Sequence, residues 1–406
     1  MATIRRGLGM LVAGRFLSAL GDGFFWPFLA LYLARFHHLS PSQVGLAMSV
    51  ASAGSLLGRL PGGYLADRFG FKPVAVAGLA GAGLSVMVAG QASTIAGFVT
   101  AYTLQALFVW GSFPALVHGA ALLARPERRE EAFSYLNLAS NAGFAIGPMV
   151  GALVIERDFH LIFWIDGVTF LLFATLIALG VPGLREEAGP RAAPGAPHRA
   201  TGALAELLSL PPPGAAAFWR VALGGALVSM VYSQLGSTLP AELGRRYASV
   251  GWYGFLWTLN GSMIALLQVP VTRLGRDVGR RPRMSLAALA YALGMLVIWR
   301  AEAPWAYFVA FAVITLGEIV YSPLPPAEYA SLAPPGQGAR YQAAGNLLAG
   351  AGSALGPAFG GALLALAGPA GLWLGAAGLG VAAAAVIWPE RQRGPGAQDA
   401  RDLHEL

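Results

Sequence analysis

The chain has 406 residues, of which 56% are apolar and 12% charged, and its mean hydropathy is +0.59. Soluble domains carry about 25% charged residues, so a wetted globule is excluded, and the apolar excess excludes disorder as well. With no cysteine there is no disulfide framework or thiolate metal site, and a polytopic membrane protein remains.

A hydrocarbon core of ~30 Å takes about 20 mainly apolar residues per helix. In chain order such stretches fall at 9–33, 44–65, 73–91, 95–123, 132–155 and 161–181. After a polar interval they resume at 218–242, 251–274, 284–299, 305–332, 341–366 and 369–388. The first is read as a retained span, because it is long and ends at Arg35-Phe36-His37-His38 without a small-residue cleavage site. The fold class expected is all-α: twelve transmembrane helices in two six-helix bundles. Residues 1–183 form the N-terminal bundle, 184–216 a Pro- and Ala-rich cytosolic linker, 217–390 the C-terminal bundle and 391–406 a charged cytosolic tail.

An even number of spans places both termini on one side. With that side in the cytosol, cytosolic segments take 22 of the 27 basic residues, Arg15 and Lys72 included. Arg35, Arg157, Arg245, Arg246 and Arg300 remain opposite, as the positive-inside rule requires. This pattern explains the net charge of +7 without nucleic acid. A multi-pass protein of the inner (plasma) membrane with cytoplasmic termini is expected, working as a monomer among membrane lipids.

The second half repeats the first at an offset of 209 residues. Gly45 falls on Gly254, Pro61 on Pro270, Gly70 on Gly279 and Pro114 on Pro323. Gly143, Gly147, Pro148 and Gly151 fall on Gly352, Gly356, Pro357 and Gly360, and Trp164 falls on Trp373. Six spans per repeat insert both halves in the same sense, an arrangement associated with alternating access.

The segment from Gly63 to Lys72, GYLADRFGFK, resembles the G-x-L-A-D-R-x-G-R-K loop signature of the major facilitator superfamily, with Phe71 where a basic residue is usual. A degenerate copy runs from Thr272 to Arg281. The Gly143, Gly147, Pro148 and Gly151 pattern is similar to the antiporter motif of that superfamily's drug exporters. The segment from Thr315 to Pro323 resembles the tenth span of its proton-coupled multidrug exporters, with an intramembrane glutamate. The resemblance implies a drug:proton antiporter. It also implies a conformational latch made by Gly63, Asp67, Arg68, Gly70 and Lys72 against the eleventh span near Arg340. Pairs of small residues also pack helices closely without any antiport meaning, and the presence of the pattern in both halves favours that reading for Gly143, Gly147, Pro148, Gly151, Gly352, Gly356, Pro357 and Gly360.

Intramembrane carboxylates are expensive and mark ion pathways. Glu318 and Asp22, mid-span and without a basic neighbour in sequence, are the expected proton-coupling sites. Asp166 is expected to be structural and Glu242 interfacial. The resemblance places the first, fourth, seventh and tenth spans around a central cavity. Trp26, Trp110, His118, Tyr232, Gln234, Asn260, Gln268 and Tyr321 are the candidate lining residues, since aromatics with a few polar groups suit lipophilic or cationic ligands. The fourth span, around Gln105, lacks the arginine of many proton-coupled relatives, so coupling rests on the carboxylates. No catalytic constellation, metal-ligand spacing or P-loop appears; the expectation is a non-enzymatic exporter with the proton as coupling ion and no cofactor. A metabolite symporter or uniporter and a lipid flippase are alternatives on the same fold, and a membrane enzyme or receptor is the alternative from another class.

Overall fold

The computed structural model describes residues 2–125, 128–182, 215–247, 251–275, 277–334 and 337–388. Nearly all of the expected linker and the whole tail lie outside them. The described residues form α1 (Ala2–Phe25), α2 (Leu29–Phe36), α3 (Pro41–Phe69), α4 (Phe71–Gln91), α5 (Ile95–Leu123), α6 (Arg129–Ile155) and α7 (Leu161–Gly180). The second half gives α8 (Ala216–Gly236), α9 (Thr238–Arg246), α10 (Trp252–Leu274), α11 (Arg280–Arg300), α12 (Pro304–Tyr321), α13 (Leu324–Leu332) and α14 (Gly338–Ile387).

Local chemistry sets these boundaries. Ser40 and Gln43 form a reciprocal capping box ahead of Pro41 at the start of α3. The Thr94 hydroxyl accepts from the Gly97 amide at the start of α5. Gly70, at φ +86°, reverses the chain between α3 and α4, a conformation that favours glycine. Proline breaks helices where its missing N–H and ring forbid continuation: a 3₁₀ turn, Trp26–Phe28, separates α1 from α2, and Pro323 separates α12 from α13. In α14 the chain reverses at Gly368 (φ +66°) before Pro369. Ten helical stretches are long and apolar enough to cross a membrane. One of them, from Arg340 to Ile387, holds two crossings, and α3, at 29 residues, is about 43 Å long at ~1.5 Å per residue. The described residues thus make twelve crossings. The first, seventh and tenth spans, expected at 9–33, 218–242 and 305–332, each divide into two helices.

Within the first half α1 packs on α6 and α7, and α5 on α3 and α4; within the second α8 packs on α14, and α12 on α10 and α11. The glycine pattern in α6 is helix packing. A Cβ at Gly143 would stand 2.5 Å from the Phe16 carbonyl, and one at Gly147 2.5 Å from that of Leu20, both on α1. Gly352 meets the Ala226 carbonyl of α8 at 2.2 Å in the same way.

The two loop signatures are anchored differently. Lys72 Nζ donates to the Val181 carbonyl at the end of α7 (2.7 Å), where carbonyls lack helical partners. Arg68 donates to the Tyr64 hydroxyl (3.0 Å) and lies over Phe69, and Arg340 donates to Gln337 (3.2 Å). Each of these contacts stays within its own half. The side chain of Asp67 lies outside the described residues. In the second half Arg281, the repeat equivalent of Lys72, donates to Glu328 of α13 at 2.7 Å, with Arg280 at 3.7 Å. Glu328 is buried, so E328Q leaves two guanidinium groups without their counter-charge. It is expected to lower stability by about 3 kcal/mol, read as a fall in unfolding temperature of the detergent-solubilised protein, with E328D restoring part of it.

Candidate transport site

Glu318 sits on α12 one turn after Thr315, so both side chains share a face. Asn260 of α10 joins them: its Nδ2 donates to Glu318 Oε2 at 2.7 Å and to Thr315 Oγ1 at 2.9 Å. The Tyr232 hydroxyl of α8 also donates to the Glu318 carboxylate. Thus three helices hold one half-buried carboxylate through neutral donors. Among the described residues its hydrogen-bond partners include no cation.

An aromatic wall adjoins this carboxylate and crosses between the halves. Trp26 meets Trp257 edge to face at 5.0 Å, and Phe144 meets Trp257 at 6.0 Å. Tyr232 links Trp257 (6.2 Å) to Tyr291 (6.2 Å), and Phe311 closes on Trp257 at 5.6 Å. Gly236 is required here, because a Cβ there would stand 2.5 Å from the Trp26 ring. A carboxylate beside such ring faces attracts lipophilic cations by charge and by the ring quadrupole.

Asp22 lies half-buried on α1 in the other half. The expectation of no neighbouring base is corrected: Arg15, two turns earlier, is inside the same membrane-spanning stretch, not in a loop. Its Nη2 donates to Ser140 Oγ at 2.8 Å, and its charge faces Asp22. The seven-residue spacing already placed both on one helix face; the span boundary drawn at residue 9 included Arg15, but its charge made it look like a loop residue.

The remaining candidates divide. Trp26, Tyr232 and Asn260 converge on Glu318 or its aromatic wall. Gln234 does not: it is buried, and its Nε2 donates to the carbonyls of Met230 (2.8 Å) and Gly356 (2.8 Å), tying α8 to α14. Gln268 likewise donates to the Ile319 carbonyl (2.9 Å) across to α12. Tyr321 is buried with its ring 6.4 Å from Tyr291. Trp110 packs against Phe113 at 5.7 Å, and His118 is half-buried one turn past Pro114. Glu242 accepts from Trp373 Nε1 at 2.6 Å, joining α9 to α14. Trp257, Phe144, Thr315 and Tyr291 are site residues that sequence reasoning passed over. The i, i+3 spacing of Trp257 to Asn260 and of Thr315 to Glu318 is the signal that was present.

The halves meet at the membrane face opposite the termini. There α3 packs on α14, α6 on α10 and α2 on α9. A Cβ on Gly45 would stand 2.1 Å from the Pro357 carbonyl, and one on Gly254 2.2 Å from that of Pro148. The Ala358 amide donates to Ser49 Oγ across the same seam (3.0 Å).

The family model of the Major Facilitator Superfamily matches residues 11–263 and 221–404. The chain belongs to this superfamily. Among curated relatives, the uncharacterized MFS-type transporter YttB of Bacillus subtilis (strain 168) is 26% identical over 88% of each chain. A Na(+), Li(+), K(+)/H(+) antiporter of Planococcus maritimus is 26% identical over 84% of this chain and 86% of that one. The multidrug resistance protein MdtH of Yersinia enterocolitica is 29% identical over 42% of this chain and 43% of that one. The crystal structure of a point mutant of the nucleoside transporter NupG shares the fold with a TM-score of 0.79 at 14% identity, covering 94% of this chain and 98% of that one. This major facilitator is therefore a multi-pass membrane protein and a secondary transporter.

Proposed function

We propose that this transporter exports lipophilic, cationic compounds in exchange for protons. The observation that carries the reading is Glu318: a membrane-embedded carboxylate held by Asn260 and Tyr232, with aromatic rings beside it. An uncompensated charge at that depth is costly, so the carboxyl is neutralised either by a proton or by a cationic substrate. Mutual exclusion of the two couples their movements. Asp22, in the first half, is the second proton-handling carboxyl. The relatives named as an antiporter and a multidrug resistance protein favour this reading over metabolite uptake.

The termini-bearing face is cytosolic on the basic-residue count, so the seam between the halves closes the outward side. In the outward-open state Asp67 would receive the amides at the start of α14, a site that favours anions. A ligand shifts this equilibrium only by its differential affinity for the two states. The protein acts as a monomer with the proton as its coupling ion and no bound cofactor. The test is accumulation of ethidium by inside-out proteoliposomes with an imposed pH gradient, against a nucleoside and a sugar. Ethidium uptake that collapses with a protonophore supports export. Sugar or nucleoside movement without ethidium movement overturns it.

A further inference from the structure

Asp166 of α7 is fully buried, at 0% exposure, and among the described residues neither of its carboxylate oxygens has a hydrogen-bond partner. Leaving an ionised carboxylate so placed costs several kcal/mol or more. Its position against α1 is fixed by glycine: a Cβ at Gly21 would stand 2.6 Å from Asp166 Oδ1 and 2.2 Å from Thr169 Oγ1. The residue after Gly21 is Asp22, so both acids lie at the contact between α1 and α7. Arg15 of α1 is the cation that faces Asp22, and Tyr102 of α5 is the other titratable group near both acids. The elements packed around them contribute Gly83 and Met87 from α4, and Ser140 from α6.

Charge counting then decides the protonation. Two carboxylates and one guanidinium leave one negative charge without compensation inside the membrane. We infer that Asp22 and Asp166 form one unit that carries a single shared proton, with Arg15 fixing the number at one. Two nearby carboxyls that cannot both ionise titrate as a pair and not as separate residues. Asp166 is therefore part of the proton machinery of the first half, separate from Glu318 in the second, and the transporter holds two protons when both sites are loaded. This rests on the proposed role of Asp22 as a proton site, and its test does not depend on transport.

The test is infrared difference spectroscopy of the full-length protein in lipid nanodiscs, recording carboxylic-acid C=O stretches across a pH titration. D22N and D166N are each expected to remove the same band, since Arg15 then neutralises the one remaining carboxylate. The double variant is expected to remove no more than either. R15Q is expected to add the intensity of one further carboxylic acid, and E318Q to remove a different band. Band losses that add between D22N and D166N, or an unchanged spectrum in D166N, overturn the shared proton. If D166N does not fold, R15Q decides alone: added intensity supports the inference and unchanged intensity overturns it. Failure of ethidium transport with these bands present counts against the export reading and not against the pair.

Discussion

E318Q is expected to abolish ethidium accumulation driven by a pH gradient while leaving the transporter folded. Glutamine keeps the size of the side chain, and its amide oxygen still accepts from Asn260 Nδ2, which reaches Glu318 Oε2 at 2.7 Å in the parent. It neither binds a transferable proton nor offers a charge to a cation. Losing one charge-assisted contact of about 1.5–3 kcal/mol lowers the affinity for a cationic substrate roughly 10- to 100-fold. Loss of the exchangeable proton removes the dependence on the gradient altogether. Two readouts separate these effects: ethidium affinity by fluorescence polarisation, and uptake with and without a pH difference. E318D, with a carboxylate one methylene shorter, is expected to restore gradient dependence with weakened affinity. If E318Q still concentrates ethidium against its gradient, Glu318 is not the coupling group, whatever the affinity shows.

The architecture was legible because it depends on short-range signals. Span length, the Ser40–Gln43 box, Gly70 and the proline breaks are each written within a few residues, and the repeat at 209 doubles every signal. What the sequence hid depends on contact between helices. Nothing local to Gln234 says that Gly356 of another span leaves its carbonyl within 2.8 Å, so a polar residue in an apolar helix read as cavity lining when it is a clamp. Arg15 looked like a loop residue because a charge near a span end ordinarily lies at the interface. That Asp166 lies against Gly21 of α1 is equally unreadable, since the two stand 145 positions apart. By contrast Glu318 was visible in the sequence, since a lone carboxylate in an apolar helix is costly wherever the helix packs. Only its donors, Asn260 and Tyr232, required the fold.

The repeat also identifies the contact that closes the outer face. Gly45 and Gly254 are equivalent by the 209-residue offset, and so are Pro148 and Pro357, so the seam is one contact made twice: Gly45 on the Pro357 carbonyl and Gly254 on that of Pro148. The missing side chain at 45 lets the Pro357 carbonyl approach. Because the obstacle is backbone, a methyl group at either glycine is relieved only by separating the halves there. G45A and G254A are each expected to shift the population toward the outward-open state about tenfold, equivalent to ~1.4 kcal/mol. The two contacts share no residue, so the double variant is expected to approach 100-fold. The parent has no cysteine, so a spin-label pair introduced by H38C and E302C, one in each half, reports the opening by distance measurement. G54A is the control: its Cβ meets the Thr103 carbonyl at 2.4 Å, an equal clash confined to the first half. It is expected to lower stability without widening the label distance. An equal widening in G54A would show that loosened packing anywhere opens the outer face, and that the glycine–proline seam has no special part in closing it.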